Sequence, residues 1–364
     1  MIAKRGAAVP DARQHHLSAA FLQQAAACDG LGAPFTAQVL AVLADLWPSA
    51  GPLLRARLMG WQGDLGPSGQ SVPLRLAGGM HALVRAGLAP GLAAVYPPSF
   101  GDKGALQGAV QGALQQSDGY LCAFMDQPPQ TNEVGRSAVL LAVAAVLSNA
   151  YRLPLRLSEL GASAGLNLWF DRYALDTGQG RMGDAASPLV LRPQWWGAHP
   201  KPARITIDSR AGCDLTPIDP ATQGARLAAY VWPDQPERLA RLQLAMGLAG
   251  KAVIDQADAA DWLEKRLCAP WEGCCHLVYH TVAFQYFPPA VQARIGAALA
   301  AAGARASQTA PLAWFAMEAD DQGEGAALTL HIWPNHRRIA LGRAGFHGQW
   351  VDWRGGDLPA AAAP

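Results

Sequence analysis

Up to about residue 150, apolar side chains recur at spacings of three and four, the period of an amphipathic helix. Clusters of proline and glycine separate these segments, and no segment alternates in the way that predicts a strand. This part of the chain is therefore predicted to form a helical domain. Helices are predicted at 16–27, 36–46, 72–86 and 103–116.

After residue 151, short apolar segments of strand type alternate with helical segments. This alternation predicts an α/β fold with a mostly parallel sheet. The link between the last two strands is too short for a crossover helix, so these strands should be antiparallel. Strands are predicted at 155–160, 203–207, 251–254, 276–280, 312–317, 327–333, 338–341 and 349–353, and helices at 166–173, within 223–249, and at 259–267 and 289–302.

The composition is that of a globular protein and narrows the choice of partners. Of 364 residues, 51% are hydrophobic, so the chain can bury a core. A net charge of +1 argues against binding the backbone of nucleic acids. No apolar run reaches the ~18 residues of a membrane span, and no signal peptide is evident. The 6 cysteines have neither a disulfide nor a zinc spacing, which favours free thiols and a cytoplasmic protein.

The most informative segment is Glu-Leu-Gly-Ala-Ser-Ala-Gly, at the end of the first predicted strand. Its two glycines allow a tight turn and the close approach of a ligand to bare backbone. Its carboxylate would repel a phosphate but suits an amine or hydroxyl groups, which favours S-adenosylmethionine over a dinucleotide. The strict G-x-G-x-x-G pattern is also absent. The predicted cofactor-binding residues here are Glu159, Gly161, Ser163, Gly165 and Asn167.

Two further acids follow the next predicted strands, on the edge where doubly wound sheets bind ligands. Asp214 could accept both hydroxyl protons of a ribose, or it could be a turn residue that binds the backbone before Thr216. Asp258 could accept a hydrogen bond from an adenine amino group, or it could cap the helix that begins at Ala259. Both are predicted to bind the cofactor.

The fourth predicted strand ends at His280, and a loop with Gln285 and Tyr286 follows. These three residues are predicted to be catalytic, with His280 as a general base. The alternative for His280 is a structural histidine at a strand end. His276 and His280 would lie roughly 13 Å apart on a strand and could not share an ion, so no metal site is predicted.

Polar residues also precede the apolar helical segment that leads into the first strand. Asn132, Glu133 and Arg136 are predicted to face the pocket and to bind a small-molecule substrate. The alternative is an ordinary helix start with Thr131 or Asn132 as the cap.

The order of these motifs resembles class I S-adenosylmethionine-dependent methyltransferases over residues ~151 to 354. The resemblance implies a Rossmann-like, mostly parallel, seven-stranded sheet with an antiparallel last strand. The helical N-terminal domain predicted from the apolar pattern is expected to cover the ligand edge of this sheet. The long spacing between Glu159 and Asp214 implies an insertion that contains Trp195 and Trp196. The predicted domains are a helical domain at 1–125, a cofactor-binding domain at 126–356 and a disordered tail at 357–364.

Nearly the whole chain also resembles a bacterial family known as domain of unknown function 2332. The matching segments include 130–136, 159–167, 212–219, 230–235 and 280–286. This resemblance implies no activity, but it indicates that the helical part belongs to the functional protein.

Three functions remain open from the sequence. The first is a methyltransferase that acts on a small or medium-sized acceptor, and the second is a ligand-binding protein on the same fold without the chemistry. The third is a serine hydrolase, because Gly161 to Gly165 also reads Gly-x-Ser-x-Gly. Ser163 would then be the nucleophile, followed by Asp255 or Asp258 and by His280. The oligomeric state is not predicted.

Overall fold

The structure is a computed structural model that describes residues 12–67, 69–356 and 358. The chain divides into two units. One contains the described residues up to Thr131 together with Ala225–Leu239, and the other contains Asn132–Gly224 and the described residues from Ala240 onward. The tail predicted at 357–364 lies outside the described residues except for Leu358.

The first unit is helical, and the described part of the chain before residue 132 contains no strand. Proline in the first turn begins four of its helices, where its missing N–H is not needed. The core is formed by residues such as Phe21, Leu40 and Trp47, which are fully buried. The four predicted helices are present. Three shorter helices were not predicted, because their sequences show no clear helical periodicity. The helices are α1 (Ala12–Gly30), α2 (Pro34–Leu46), α3 (Pro52–Gly60), α4 (Val72–Arg85), α5 (Pro90–Ala93), α6 (Lys103–Gln116) and α7 (Asp118–Phe124).

The second unit begins with the buried helix α8 (Ser137–Tyr151) and contains a mostly parallel sheet, so the predicted α/β class is confirmed. The sheet has nine strands among the described residues, and the predicted number of seven is wrong. Its order is β5-β12-β11-β10-β9-β8-β1-β6-β7. The strands of this sheet are β1 (Leu155–Leu160), β5 (Gln194–Gly197), β6 (Ile207–Asp214), β7 (Val253–Gln256), β8 (Cys275–Thr281), β9 (Leu312–Ala319), β10 (Ala326–Trp333), β11 (Arg337–Ala344) and β12 (Trp350–Trp353).

Three of the strand pairs in this sheet are antiparallel. β10 is antiparallel to both β9 and β11, and β12 is antiparallel to β11, as predicted for the last two strands. β12 also pairs in parallel with β5. β5 is one of the strands beyond the predicted seven, and it forms the edge of the sheet on this side.

The segment between Glu159 and Asp214, where an insertion was predicted, contains a short helix and several strands. Its first part, Leu166–Arg172, is a 3-10 helix with a kink at Trp169 instead of the predicted regular helix. A small sheet in the order β3-β2-β4 follows, and then β5, which carries Trp195 and Trp196. The small sheet contains β2 (Ala174–Asp176), β3 (Arg181–Gly183) and β4 (Val190–Leu191).

The second predicted strand was placed too early, because β6 is polar along much of its length. Arg210 lies within β6, and its guanidinium stacks on the Trp169 ring at 4.0 Å and forms an ion pair with Asp171 at 2.8 Å. These contacts satisfy a charge that the apolar pattern could not accommodate. The remaining helices of the chain are α9 (Pro220–Ala229), α10 (Pro236–Leu248), α11 (Ala259–Cys268) and α12 (Pro289–Gly303).

One face of the sheet packs against α11 and α12. Leu160, Val278 and Leu312 from the strands form a core with Leu263 and Leu299 from these helices. Leucine and valine on three adjacent parallel strands give a continuous apolar surface, as is usual for a sheet covered by helices.

The segment Val134–Tyr151 is long and apolar enough to cross a membrane, with a mean hydropathy of 1.4. No membrane span was predicted here from the sequence. The segment is 83% buried, which is typical of the core helix of a soluble protein. By length and composition, the bent pair Pro34–Ser49 and Pro52–Gly60 would be a second candidate.

The two glycines of the loop after β1 both have left-handed backbone angles, with φ of +69° at Gly161 and +67° at Gly165. A Cβ at Gly161 would lie 2.7 Å from the Cβ of Ala283, and one at Gly165 would lie 2.6 Å from Cδ1 of Ile254. The space beside each glycine is therefore filled by the protein itself. The sequence had predicted a ligand there.

Replacing Gly165 by alanine should reduce stability through both the backbone and the contact. The left-handed backbone should cost about 1–2 kcal/mol, and the overlap with Ile254 about 1 kcal/mol more. Gly178→Ala is the matched control, because Gly178 has φ of +81° and nothing within 4 Å of its Cβ position. Urea unfolding measures both variants, and equal losses of unfolding free energy would show that the contact with Ile254 is unimportant.

Candidate functional site

The five parallel strands on one side of the sheet define where a ligand would bind. Their spatial order is β7-β6-β1-β8-β9, and the chain order reverses between β1 and β8. In open α/β sheets, ligands bind outside the carboxyl ends of the strands at such a switch point. Glu159 lies near the end of β1, Asp214 ends β6, and His280 lies near the end of β8. The structure thus brings these residues to one edge of the sheet.

The loop at 161–165 is held by its own backbone N–H groups. Gly161 N and Ala162 N both donate to Cys213 O, at 2.9 and 3.0 Å. Ser163 N donates to Oδ2 of Asp214 at 2.9 Å, and Gly165 N donates to Ala162 O at 2.7 Å. These donors are already engaged, so the loop is not arranged to bind a phosphate group.

Asp214 supports both the glycine loop and its own turn. While Oδ2 accepts from Ser163 N, Oδ1 accepts from Thr216 N at 2.9 Å. The second contact is the turn role considered as the alternative from the sequence. Asp214 therefore fixes the glycine loop against the end of β6.

Asp258 caps α11, as the alternative from the sequence proposed. Its Oδ1 accepts from Ala260 N at 2.9 Å and from Asp261 N at 3.2 Å. The neighbouring Asp255 accepts from Trp262 Nε1 at 2.7 Å. The cap uses one oxygen of Asp258, and the other oxygen remains available at the end of β7.

Glu159 is buried with little hydrogen bonding. Its side chain is 2% exposed, and its closest donor is the Tyr279 hydroxyl, at 3.4 Å from Oε2. Burial raises the pKa of Glu159 well above its ordinary value, and the hydrogen bond from Tyr279 only partly offsets this. The negative charge of Asp214 raises the pKa further.

Asn167 belongs to a buried polar cluster beside Glu159. Its Oδ1 accepts from the Ser137 hydroxyl at 2.7 Å, and its Nδ2 donates to Glu133 O at 3.4 Å. Oδ1 of Asn132 accepts from Leu166 N at 2.7 Å. The structure therefore joins Asn132 and Glu133 to the segment that follows the glycine loop.

The side chains of Glu133 and Arg136 hold backbone at this edge. Oε1 of Glu133 accepts from Gly135 N at 3.0 Å and so caps the short turn before α8. Arg136 donates to Phe346 O at 2.8 Å and to Thr281 O at 2.7 Å. The predicted substrate residues lie near the ends of β1 and β8, but these contacts are structural.

His280 has no ring nitrogen available for the role of general base. It is 1% exposed, its Nδ1 lies 2.7 Å from Oε1 of Glu318, and its Nε2 lies 3.0 Å from Nε1 of Trp314. An indole N–H only donates, so Nε2 accepts and Nδ1–H donates to Glu318. This geometry favours the structural alternative for His280, and its catalytic role stays a prediction.

Glu318, which the sequence analysis missed, organises the loop after β8. Its carboxylate also accepts from Ala283 N at 3.0 Å and Phe284 N at 3.1 Å. Burial raises the pKa of Glu318, but the hydrogen bond from His280, together with these backbone donors, lowers it overall. An acid directly after the apolar run of the fifth parallel strand was the available sequence signal.

The two other predicted catalytic residues lie on the loop that Glu318 holds. The Gln285 side chain accepts from Ala319 N at 3.3 Å, so it ties the loop to the end of β9. Tyr286 is 62% exposed and presents its ring to the surroundings. Gln285 and Tyr286 are thus both exposed, in contrast to the buried His280. No group of three or more His, Cys, Asp or Glu residues that could hold a metal occurs in the described parts of the chain.

A cleft of about 630 Å³ lies beside β7, within the size range of small-molecule sites. None of the predicted site residues lines it, and it touches the glycine loop only at Ala164. We place the candidate site at the strand ends, because the polar groups converge there. The cleft is lined by Ala164, Pro217, Ile218, Asp219, Pro220, Ala221, Met246, Ala249, Gly250, Lys251, Ala252 and Ile254.

Comparison with known proteins identifies the family of the chain and gives no named relative. The sequence profile of a family described as uncharacterized protein conserved in bacteria, domain of unknown function 2332, matches residues 18–353. No curated protein and no solved structure matches the chain. The match covers most of both units, so this chain belongs to the bacterial family of domain of unknown function 2332.

Proposed function

We propose that the chain binds S-adenosylmethionine at the carboxyl edge of its parallel strands and transfers the methyl group to a small acceptor. The observation that carries the proposal is Glu159, a buried carboxylate with one long hydrogen bond at the end of the central strand. A buried carboxylate is costly unless it is paired or hydrogen-bonded, and a ligand amine would supply the missing donors.

The acids at three neighbouring strand ends fit the polar groups of this cofactor. Glu159 would receive the amine, Asp214 the ribose hydroxyls, and the free oxygen of Asp258 the adenine amino group. The backbone donors of the glycine loop are engaged, which disfavours a phosphate-bearing dinucleotide and suits a cofactor without phosphate. When bound, the cofactor would supply a methyl group on a sulfonium, which is an electrophile.

The chain would contribute positioning more than acid–base chemistry. Glu318 holds the loop after β8, and Ala283 of that loop packs against Gly161. Tyr286 on the same loop would contact the acceptor. Since His280 is engaged, the acceptor would arrive as a nucleophile that needs no deprotonation by this histidine. Alignment of the reacting atoms alone can supply a large share of the rate.

A binding protein without the chemistry is the second candidate. It is favoured by the engagement of both ring nitrogens of His280 with Glu318 and Trp314. Both candidates require cofactor binding, so binding does not separate them. Turnover of radiolabelled S-adenosylmethionine with a panel of thiol, amine and carboxylate acceptors does.

Calorimetry with S-adenosylmethionine tests the proposed site directly. At pH 8, Glu159→Gln should weaken binding between about tenfold and 150-fold, because a hydrogen bond to a charged group contributes ~1.5–3 kcal/mol. Ser163→Ala should stay within about tenfold, since at most one neutral hydrogen bond is lost. A folded Glu159→Gln protein with wild-type affinity would contradict the assignment of Glu159.

The serine hydrolase alternative requires Ser163 to be a reactive nucleophile. A triad needs a histidine within hydrogen-bond reach of the serine, and the ring nitrogens of His280 are bound to Glu318 and Trp314. A fluorophosphonate probe should therefore leave Ser163 unlabelled, and Ser163→Ala should not change any hydrolysis of p-nitrophenyl acetate. Labelling that disappears in the Ser163→Ala protein would make the chain a serine hydrolase instead.

A further inference from the structure

The hydroxyl of Tyr279 lies between two acceptors, and this arrangement indicates the protonation state of Glu159. The Tyr279 hydroxyl lies 3.2 Å from Asn167 O and 3.4 Å from Oε2 of Glu159. A phenol has one proton, so it can make one good donor bond, and the carbonyl is the closer acceptor. If Glu159 were ionised, two acceptors would compete for that proton. If Glu159 is a neutral acid, its O–H can donate to Tyr279 while Tyr279 donates to Asn167.

The groups around Glu159 do not supply the charge that an ionised acid would need. Asp214 on β6 has the same charge as an ionised Glu159 and disfavours its ionisation. Arg136 is the cation that favours the ionised form. Arg136 donates to Phe346 O and Thr281 O, so these contacts direct its donors to backbone. The Tyr173 hydroxyl donates to Leu166 O at 2.7 Å, so its proton is committed as well. Burial also raises the pKa of Glu159, in agreement with this geometry.

We propose that Glu159 is a neutral carboxylic acid in the ligand-free protein, and that a bound ammonium group replaces its proton. The inference rests on the proposed function for the identity of the ligand. The O–H bond of Glu159 breaks, the proton passes to the buffer, and the carboxylate pairs with the ammonium. No other bond changes, so each bound ligand releases one proton.

This exchange makes the site selective for ligands with a positively charged amine. A neutral ligand of the same shape cannot replace the proton and gains no ion pair. Because binding expels a proton, a lower pH opposes it. In the range where free Glu159 is protonated, affinity for S-adenosylmethionine should rise about tenfold per pH unit. The ligand amine also titrates, and Glu159→Gln reports that contribution alone.

The state of Glu159 can be measured without any ligand. Infrared spectra of protein labelled with ¹³C-glutamate should show the carbonyl band of a protonated acid at pH 7. The band should be lost in Glu159→Gln. Glu264→Gln is the matched control, because Glu264 is an exposed glutamate on α11 paired with Arg294, and this variant should keep the band. Melting curves confirm that both variants are folded.

Calorimetry in phosphate and in Tris at pH 7 counts the protons released on binding. Wild type and Glu264→Gln should release about one proton per S-adenosylmethionine from the protein, and Glu159→Gln about none. Adenosine, which lacks the amino acid portion of the cofactor, should bind without proton release. Comparing adenosine with S-adenosylmethionine shows whether proton release depends on the part of the ligand that carries the amine.

The possible outcomes distinguish the neutral Glu159 from the proposed function. Binding of S-adenosylmethionine without proton release, or a wild-type spectrum without the acid band, overturns the neutral Glu159 and leaves the proposed function standing. An acid band in a folded protein that does not bind S-adenosylmethionine overturns the proposed function and the proton release, while it supports the neutral acid. The band together with release of one proton supports both.

Discussion

The parallel pairing of β1 with β6 on one side and with β8 on the other is the constraint on which the second unit depends. A strand bonded on both sides and covered on both faces has no route to water, and β1 is buried along most of its length. Its carboxyl end must therefore be accommodated inside the protein. The glycine loop does this by turning back at once onto the end of β6, where Cys213 and Asp214 accept its N–H groups.

Two buried glutamates near the carboxyl ends of parallel strands have opposite environments. Glu318 accepts hydrogen bonds from His280 and from the backbone of the following loop, and these lower the pKa of its carboxyl group. Glu159 has one long hydrogen bond, and burial raises the pKa of its carboxyl group. The first acid is satisfied within the protein and supports a loop. The second has no such set of donors, and for this reason we propose it as the group that binds a ligand.

Much of the fold could be predicted because its elements are local patterns. β1 was predicted at its observed bounds, and α6 as well, since both have a clear period and clear end signals. β6 was misplaced because Arg210 interrupts its apolar pattern, and the residues that satisfy that charge, Asp171 and Trp169, are distant in sequence. β5 was missed because it becomes a strand only through its pairing with β12.

The site shows the same limit. The residue types at the strand ends could be read from the sequence, since a strand followed by a glycine turn and an acid is a local signal. Whether a side chain is free could not be read, because this depends on distant residues. His280 looked available until Glu318 and Trp314 were placed against it, and Asp258 is largely a helix cap.

The pairing of β5 with β12 links the folding of distant parts of the chain. Gln194 lies opposite Trp350, and Trp353 lies opposite Gly197. This edge of the sheet can therefore form only after β12 has been synthesised. Contacts between residues so far apart in sequence are slow to form, because a long loop must be closed first. During synthesis, β5 and its two tryptophans would emerge well before their partner strand. β12 therefore completes the sheet late, and until then β5 and its tryptophans lack their partner strand.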